Sequence, residues 1–229
     1  MKQFITTGII LSRTDFGEAD RIITLITPDH GKLRVLARGV RKVKSKLAGG
    51  IELFSVSHIT YLPGKGEIGT LVSTRLEKHY GTIAKDIERT MLGYELIKQL
   101  NKATEDEPEA AYFDILQQAF EALDDPVIGM DIIQAWFAAQ VLRQAGHTPN
   151  LQTDTAGQKL DAAQRYDFSF DDMTFTRHPE GNFGADDIKF LRLLFSPNDP
   201  KTLAKINNIT TLTKHSMPLV NLMKKQYIR

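Results

Sequence analysis

The 229-residue chain has no cysteine, a single tryptophan, only 8% aromatic residues and a formal net charge of +1. The missing cysteine excludes disulfides, thiol nucleophiles, Cys-ligated zinc and iron–sulfur clusters, and it suits a reducing compartment. Long apolar runs are also missing. The least polar stretch, Pro126 to Leu142, is broken by Asp131, Gln134 and Gln140 and falls short of the roughly 20 residues of a membrane span, so a buried helix and no membrane contact are expected. Met1-Lys2-Gln3-Phe4-Ile5 opens no signal-peptide-like apolar segment, which points to a cytoplasmic location. With 41% hydrophobic residues, the chain has enough apolar content for one large domain or two small ones, each with its own core.

The usual signatures of bond chemistry are absent as well. There is no Walker A sequence, no G-x-S-x-G elbow and no H-E-x-x-H, and the six histidines at 30, 58, 79, 147, 178 and 215 contain no i, i+4 pair. Gly64-Lys65-Gly66-Glu67-Ile68-Gly69 matches G-x-G-x-x-G, but residues 67–76 continue as a strand. A dinucleotide fingerprint must instead pass into a helix whose N-terminus meets the pyrophosphate, so a hairpin turn is expected here. Asp171-Asp172 is assigned to a turn and Asp186-Asp187 to a helix start, where carboxylates favour the dipole. No enzyme activity, cofactor or metal site is expected.

What the sequence does contain is segregated charge. Residues 1–80 carry a net +6 and residues 81–102 a net +1, whereas residues 103–187 carry −13 and residues 188–229 carry +7. Near-neutrality is thus a cancellation. Lys32, Arg34, Arg38, Arg41, Lys42, Lys44 and Lys46 place seven cations in fifteen residues with no acid among them, the electrostatic footprint of a polyanion site. A solvated basic loop is the plain alternative. The C-terminal cations Lys189, Arg192, Lys201, Lys205, Lys214, Lys224, Lys225 and Arg229 suit either a DNA surface, an acidic peptide or a solvated helix face.

Five strand signals fill the first eighty residues: Phe4–Arg13, with Ile5, Ile9 and Leu11 on one parity, then Arg21–Thr27, Lys32–Arg38, Ile51–Leu62 and Gly66–Leu76. In the third, Leu33, Val35 and Ala37 alternate with Lys32, Arg34, Leu36 and Arg38, so the pleat puts three cations on one face. Five short strands suit a small closed barrel of OB or SH3-like type. From Thr82, a proposed cap, the period becomes helical: Ile83, Ile87, Met91, Tyr94, Ile97 and Leu100 form one stripe. A second helix opens at Pro108 and Glu109 with the stripe Phe113, Leu116, Phe120 and Leu123, and a third runs from Pro126 to about Ala145. Tyr166–Phe170 and Met173–Thr176 look like a hairpin, and helical signals return at 186–195, 201–207 and 213–227. The expected class is α+β: a barrel domain at 1–80 and a mostly helical domain at 81–229. Phe4, Phe16, Phe54, Tyr61 and Tyr80 are the aromatic residues available beside the cations for stacking bases, although Phe4, Phe54 and Tyr61 suit a core equally well.

Asp15-Phe16-Gly17-Glu18-Ala19-Asp20-Arg21, His30-Gly31-Lys32-Leu33 and Ala37-Arg38-Gly39-Val40-Arg41-Lys42-Val43-Lys44-Ser45-Lys46-Leu47 together resemble the N-terminal signature of the bacterial RecO recombination mediator family. The resemblance is sharp over residues 8–76. It implies an N-terminal OB-fold, a helical C-terminal domain and a non-enzymatic, nucleoid-associated role in recombinational DNA repair. It further implies binding of single- and double-stranded DNA, strand annealing, contact with the C-terminal tail of single-strand binding protein, and cooperation with RecR to load the RecA recombinase. The family's basic loop maps onto Arg38, Arg41, Lys44 and Lys46. Many members carry a four-cysteine zinc module after a Gly-x-x-Pro like Gly146-His147-Thr148-Pro149, and without cysteine that site cannot form here. Residues 147–183 are therefore expected to be a metal-free version packed by Phe168 and Phe170. An OB-fold RNA-binding protein and a non-catalytic interaction adaptor are the alternatives.

Overall fold

The computed structural model describes residues 2–104 and 110–228. The start of the second expected helix, at Pro108 and Glu109, lies outside them. Two compact units divide the chain, Met1–Pro126 and Val127–Arg229.

In the first unit, β1 (Phe4–Phe16), β2 (Asp20–Thr27), β3 (Gly31–Ala37), β4 (Ser55–Leu62) and β5 (Ile68–His79) form a closed barrel in the order β1-β2-β3-β5-β4. All neighbours are antiparallel except β3 and β5, which run parallel through Arg34↔Ile68 to Leu36↔Thr70. This is the five-stranded OB-like barrel, and closure removes the unpaired edges that an open sheet would expose. Its interior holds Ile10, Ile23, Leu25, Val35, Ala37, Ile59, Tyr61 and Leu71, closed at one side by Val40 and Ile51 from the β3–β4 connection. The Gly64–Gly69 run is the β4–β5 turn and the start of β5, with no helix after it.

The parity expected for β1 fails at Ile5, which is 73% exposed. Pairing with β4 is regular from Phe4 to Ile9, so Ile5 and Ile9 share the outward face and differ in cover; beyond them, register with β2 shifts between Ile10 and Ser12, and Ile9, Ile10 and Leu11 are buried in succession. Ile10 belongs to the barrel interior, while Ile9 and Leu11 lie outside that cluster. Helices cover this outer face. Both α1 (Ile87–Ala103) and α2 (Ala111–Leu123) contact β1, and α2 also contacts β2. The change from strand to helix therefore falls near residue 80, but the first compact unit continues to Pro126.

The stripe expected for α1 is rotated. Ile83 sits in a separate 3-10 turn (Ile83–Lys85), and Asp86, not Thr82, caps the helix by accepting from Arg89 N at 3.0 Å. Leu92, Gly93, Leu96, Ile97 and Leu100 face inward, leaving Ile87, Met91 and Tyr94 at 80%, 64% and 50% exposure. Gly93 is required by its neighbour: a Cβ there would stand 2.6 Å from Phe54 Cε1. Phe54, held at φ 56°, packs edge-on against Tyr94 and Phe120, and Tyr80 meets Phe120 in the same way. Buried Arg89 donates to the carbonyls of Leu123, Asp125 and Pro126, satisfying the otherwise orphaned end of α2.

The second unit is built on α3 (Met130–Gln144), which starts four residues later than expected and leaves Val127 exposed. It is buried nearly all round. Gln140, one of the polar interruptions in the run, is 2% exposed and donates to the Leu194 and Ser196 carbonyls at the end of α4 (Ala185–Leu194). Short α5 (Pro200–Leu203) and long α6 (Ile209–Tyr227) complete the helices, with α6 beginning earlier than its periodicity suggested. Asp186 and Asp187 stand in the first turn of α4, the helix start expected for them, and Asp187 also reaches back to accept from Gly184 N at 2.8 Å. The hairpin forms as β6 (Tyr166–Ser169) and β7 (Thr174–Arg177) around the Asp171-Asp172 turn. Its packing centres on Phe175 and Tyr166, fully buried, with Phe168 5.3 Å from Phe175 and Phe170 5.0 Å from Phe168 at the margin. No group of three or more His, Asp or Glu side chains suited to a metal occurs among the described residues.

Candidate nucleic-acid interface

The seven sequence-selected cations divide into three structural situations. Lys32 is engaged: its Nζ donates to the Asn101 carbonyl at 3.0 Å and to Asn101 Oδ1 at 3.1 Å, placing a positive charge at the C-terminal end of α1. Arg34 and Arg41 are exposed but face acids, Arg34 with Glu67 at 3.9 Å and Arg41 with Asp15 at 3.5 Å. Arg38, Lys42, Lys44 and Lys46 are exposed with no carboxylate within 4 Å among the described residues. The pleat of β3 puts Lys32 and Arg34 opposite the buried Val35 and Ala37, but the strand ends at Ala37, so Arg38, expected on the same face, belongs to the turn that follows.

Four of the cations thus ride on the connection between β3 and β4, and that connection is fastened. Val40 is 4% exposed and Leu47 packs partly buried on the barrel core, so the polar stretch between them is pinned at both ends. Gly39, with φ 63°, makes the turn that Lys42 N closes by donating to the Gly39 carbonyl at 3.1 Å, and Ser45 N repeats the pattern on Lys42. Thr74 Oγ1 of β5 donates to the Leu47 carbonyl at 3.1 Å. The tip of the β1–β2 hairpin adds a second set of ties: Gly39 N donates to Asp20 Oδ1 at 2.7 Å and Arg41 N donates to the Ala19 carbonyl at 2.9 Å. Arg21 donates to Asp15 at 2.8 Å. That hydrogen bond holds the Asp15 carboxyl below its ordinary 3.8, with desolvation opposing it and the charges of Arg41 and Arg21 adding to it.

These ties explain the sequence pattern that composition alone could not. Asp15, Gly17, Ala19 and Asp20 orient the cationic loop from across the hairpin. No charge count points to them; their only sequence signal was that they share a run with the motif. Among the aromatics, Phe4 and Tyr61 stack on each other at 5.8 Å and Phe54 and Tyr80 belong to the helix-covered cluster, whereas Phe16 is 52% exposed.

The second unit holds a different concavity, a groove of about 430 Å³ lined by Phe168, Phe170, Phe183, Leu219 and Leu222. Its charged margin is mixed. Asp167 lies there with His178 3.3 Å away, and the backbone N–H of Asn182 holds the Asp167 carboxyl low. No helix among the described residues is long and apolar enough to cross a membrane.

A closed OB-like barrel whose β3–β4 loop is fastened and studded with unpaired cations defines a class, the small barrel protein with a fixed cationic loop. Residues 1–80 match the family model described as recombination protein O N terminal. The chain is 31% identical over 165 residues to a DNA repair protein RecO of Dehalococcoides mccartyi, covering 71% of this chain and 64% of that one. It is 30% identical to the RecO protein of Bifidobacterium adolescentis over 71% of this chain and 67% of the relative, and 29% identical to that of Listeria innocua over 82% and 75%. The chain belongs to the RecO family. It spans somewhat under two thirds of several of these relatives' own length, 60% of the Desulfatibacillum aliphaticivorans protein for example.

Proposed function

We propose that this protein is a DNA-binding and strand-annealing mediator of recombinational repair that works by binding and not by bond chemistry. The observation that carries the reading is the set of four exposed, unpaired cations Arg38, Lys42, Lys44 and Lys46 on a loop fixed to a RecO-family barrel. Cations neutralise phosphates and release their counterions, so binding is sequence-tolerant and falls steeply with salt. Two complementary strands held with their repulsion reduced then anneal through proximity. Arg34 and Arg41, each already facing one acid, contribute less, and Lys32 contributes through the fold. DNA in single- and double-stranded form is the proposed ligand. Single-strand binding protein, through its tail, and RecR are the proposed partners, with loading of RecA as the downstream result and the cytoplasm as the location.

The direct test is annealing of complementary strands coated with cognate single-strand binding protein, with and without this protein. Faster annealing is expected, with no hydrolysis of DNA or ATP. Absence of saturable single-stranded DNA binding at low salt would remove the proposal, and preference for RNA over DNA of the same length would redirect it.

A further inference from the structure

Phe16 is the last residue of β1, at the tip of the β1–β2 hairpin, where Gly17 takes φ 59° to turn the chain. Its ring is half exposed and makes no aromatic or cation contact among the described residues. A single exposed phenylalanine needs no explanation by itself. Its setting here does. The residues on either side of it, Asp15 and Gly17, are both held by Arg41, through the 3.5 Å ion pair and a 3.4 Å hydrogen bond to the Gly17 carbonyl. The bonds from Gly39 N to Asp20 and from Arg41 N to Ala19 fasten the other side of the tip to the same loop. The ring is thus carried by a hairpin tip fastened to the Gly39–Arg41 segment of the cationic loop. The other barrel aromatics are spent in packing.

We propose that Phe16 is a base-stacking platform, on which an unpaired nucleobase lies while the neighbouring phosphates sit on the loop cations. The inference rests on the nucleic-acid reading and adds to it a source of preference for single strands. In a duplex each base is already stacked on its neighbours, so the ring has nothing to accept without melting a step. In a single strand a base face is available, and stacking is worth about 5- to 160-fold in affinity whatever the base. Half exposure places the expectation for Phe16 near tenfold.

The test uses the full chain with a fluorescein-labelled single-stranded oligonucleotide and a duplex of equal length, titrated at several salt concentrations. Phe16→Ala is expected to weaken single-strand binding about tenfold, to leave duplex binding unchanged and to leave the salt slope unchanged, because no phosphate contact is lost. Phe16→Tyr is expected to restore it and Phe16→Leu not to. Phe16→Trp adds an optical readout, since the one native tryptophan, Trp136, is buried: its new emission is expected to be quenched by the single strand and not by the duplex. Wild-type binding with Phe16→Ala equal to wild type, or with Phe16→Leu as good as Phe16→Tyr, overturns the stacking role alone. Equal losses on single strand and duplex do the same. No DNA binding by the wild type removes the functional reading as well.

Discussion

Two regions of this molecule carry similar net charge, +6 over residues 1–80 and +7 over residues 188–229, and unequal opportunities. The β3–β4 loop holds Arg38, Lys42, Lys44 and Lys46 within nine residues, unpaired, the three lysines between apolar anchors at Val40 and Leu47 and Arg38 just ahead of the first. In the C-terminal stretch, Lys189 pairs with Asp186 at 3.3 Å, Arg192 donates to the Leu151 carbonyl at 2.8 Å, and Lys224 is half-buried and engaged. Lys201, Lys205, Lys214 and Lys225 are exposed without a carboxylate in reach among the described residues, but they are scattered over two helices and the turn after α5. Arg229 lies outside the described residues. A charge sum weighs the two regions alike. What separates them is density and fixation: a phosphate chain gains most where several cations stand close together on a backbone that needs no further ordering.

The largest effect that would sharpen this contrast is on the second unit itself. Phe175→Ala removes the centre of the hairpin's aromatic cluster and is expected to lower that unit's stability by about 3–5 kcal/mol, measured by urea unfolding. Single-stranded DNA affinity should survive it below the transition; its loss would give the C-terminal cations the main role. Next, replacing Arg38, Lys42, Lys44 and Lys46 together by Ala is expected to weaken single-stranded DNA binding on the order of 100-fold at 0.1 M salt. Gly93→Ala presses on Phe54 and should cost the first unit about 1–3 kcal/mol, read as a lower unfolding midpoint with DNA contacts intact. The smallest effect concerns Asp15. Because its folded pKa lies below 3.8, its contribution is full above that value and is lost as pH falls through the lower folded one. The stability difference between wild type and Asp15→Asn should therefore be constant from pH 5 to 8 and shrink on further acidification; a change near neutrality would contradict the assignment.

Much of this was legible in the sequence, and the gaps have physical causes. The five strands, the basic loop and the hairpin at Asp171-Asp172 follow from alternation and turn residues. The apolar parity Ile5, Ile9 and Leu11 in β1 does not mark the barrel interior, which takes Ile10 with Phe4 packed against it, because Ile9 is buried on the outer face and alternation does not tell one buried face from the other. The face of α1 was misread because Ile83 and Ile87 continue the period across a 3-10 turn, while the inward face uses a glycine against Phe54 and an arginine against three carbonyls. Neither residue type registers as core in a hydrophobic count. At the site, charge density selected seven cations, but only geometry separates Lys32, which closes a helix end, and Arg41, which ties a hairpin, from the four that are free of acids.

The most direct measurement is the salt dependence of single-stranded DNA binding in two variants. One replaces Arg38, Lys42, Lys44 and Lys46 by Ala, the other Lys201, Lys205, Lys214 and Lys225. At about 0.7 log units of slope per phosphate contact, the loop variant should flatten log K against log salt by about 2–3 units, while the C-terminal variant changes it by less than about 1. A slope unchanged in the folded loop variant, or flattened equally in both, would contradict the account.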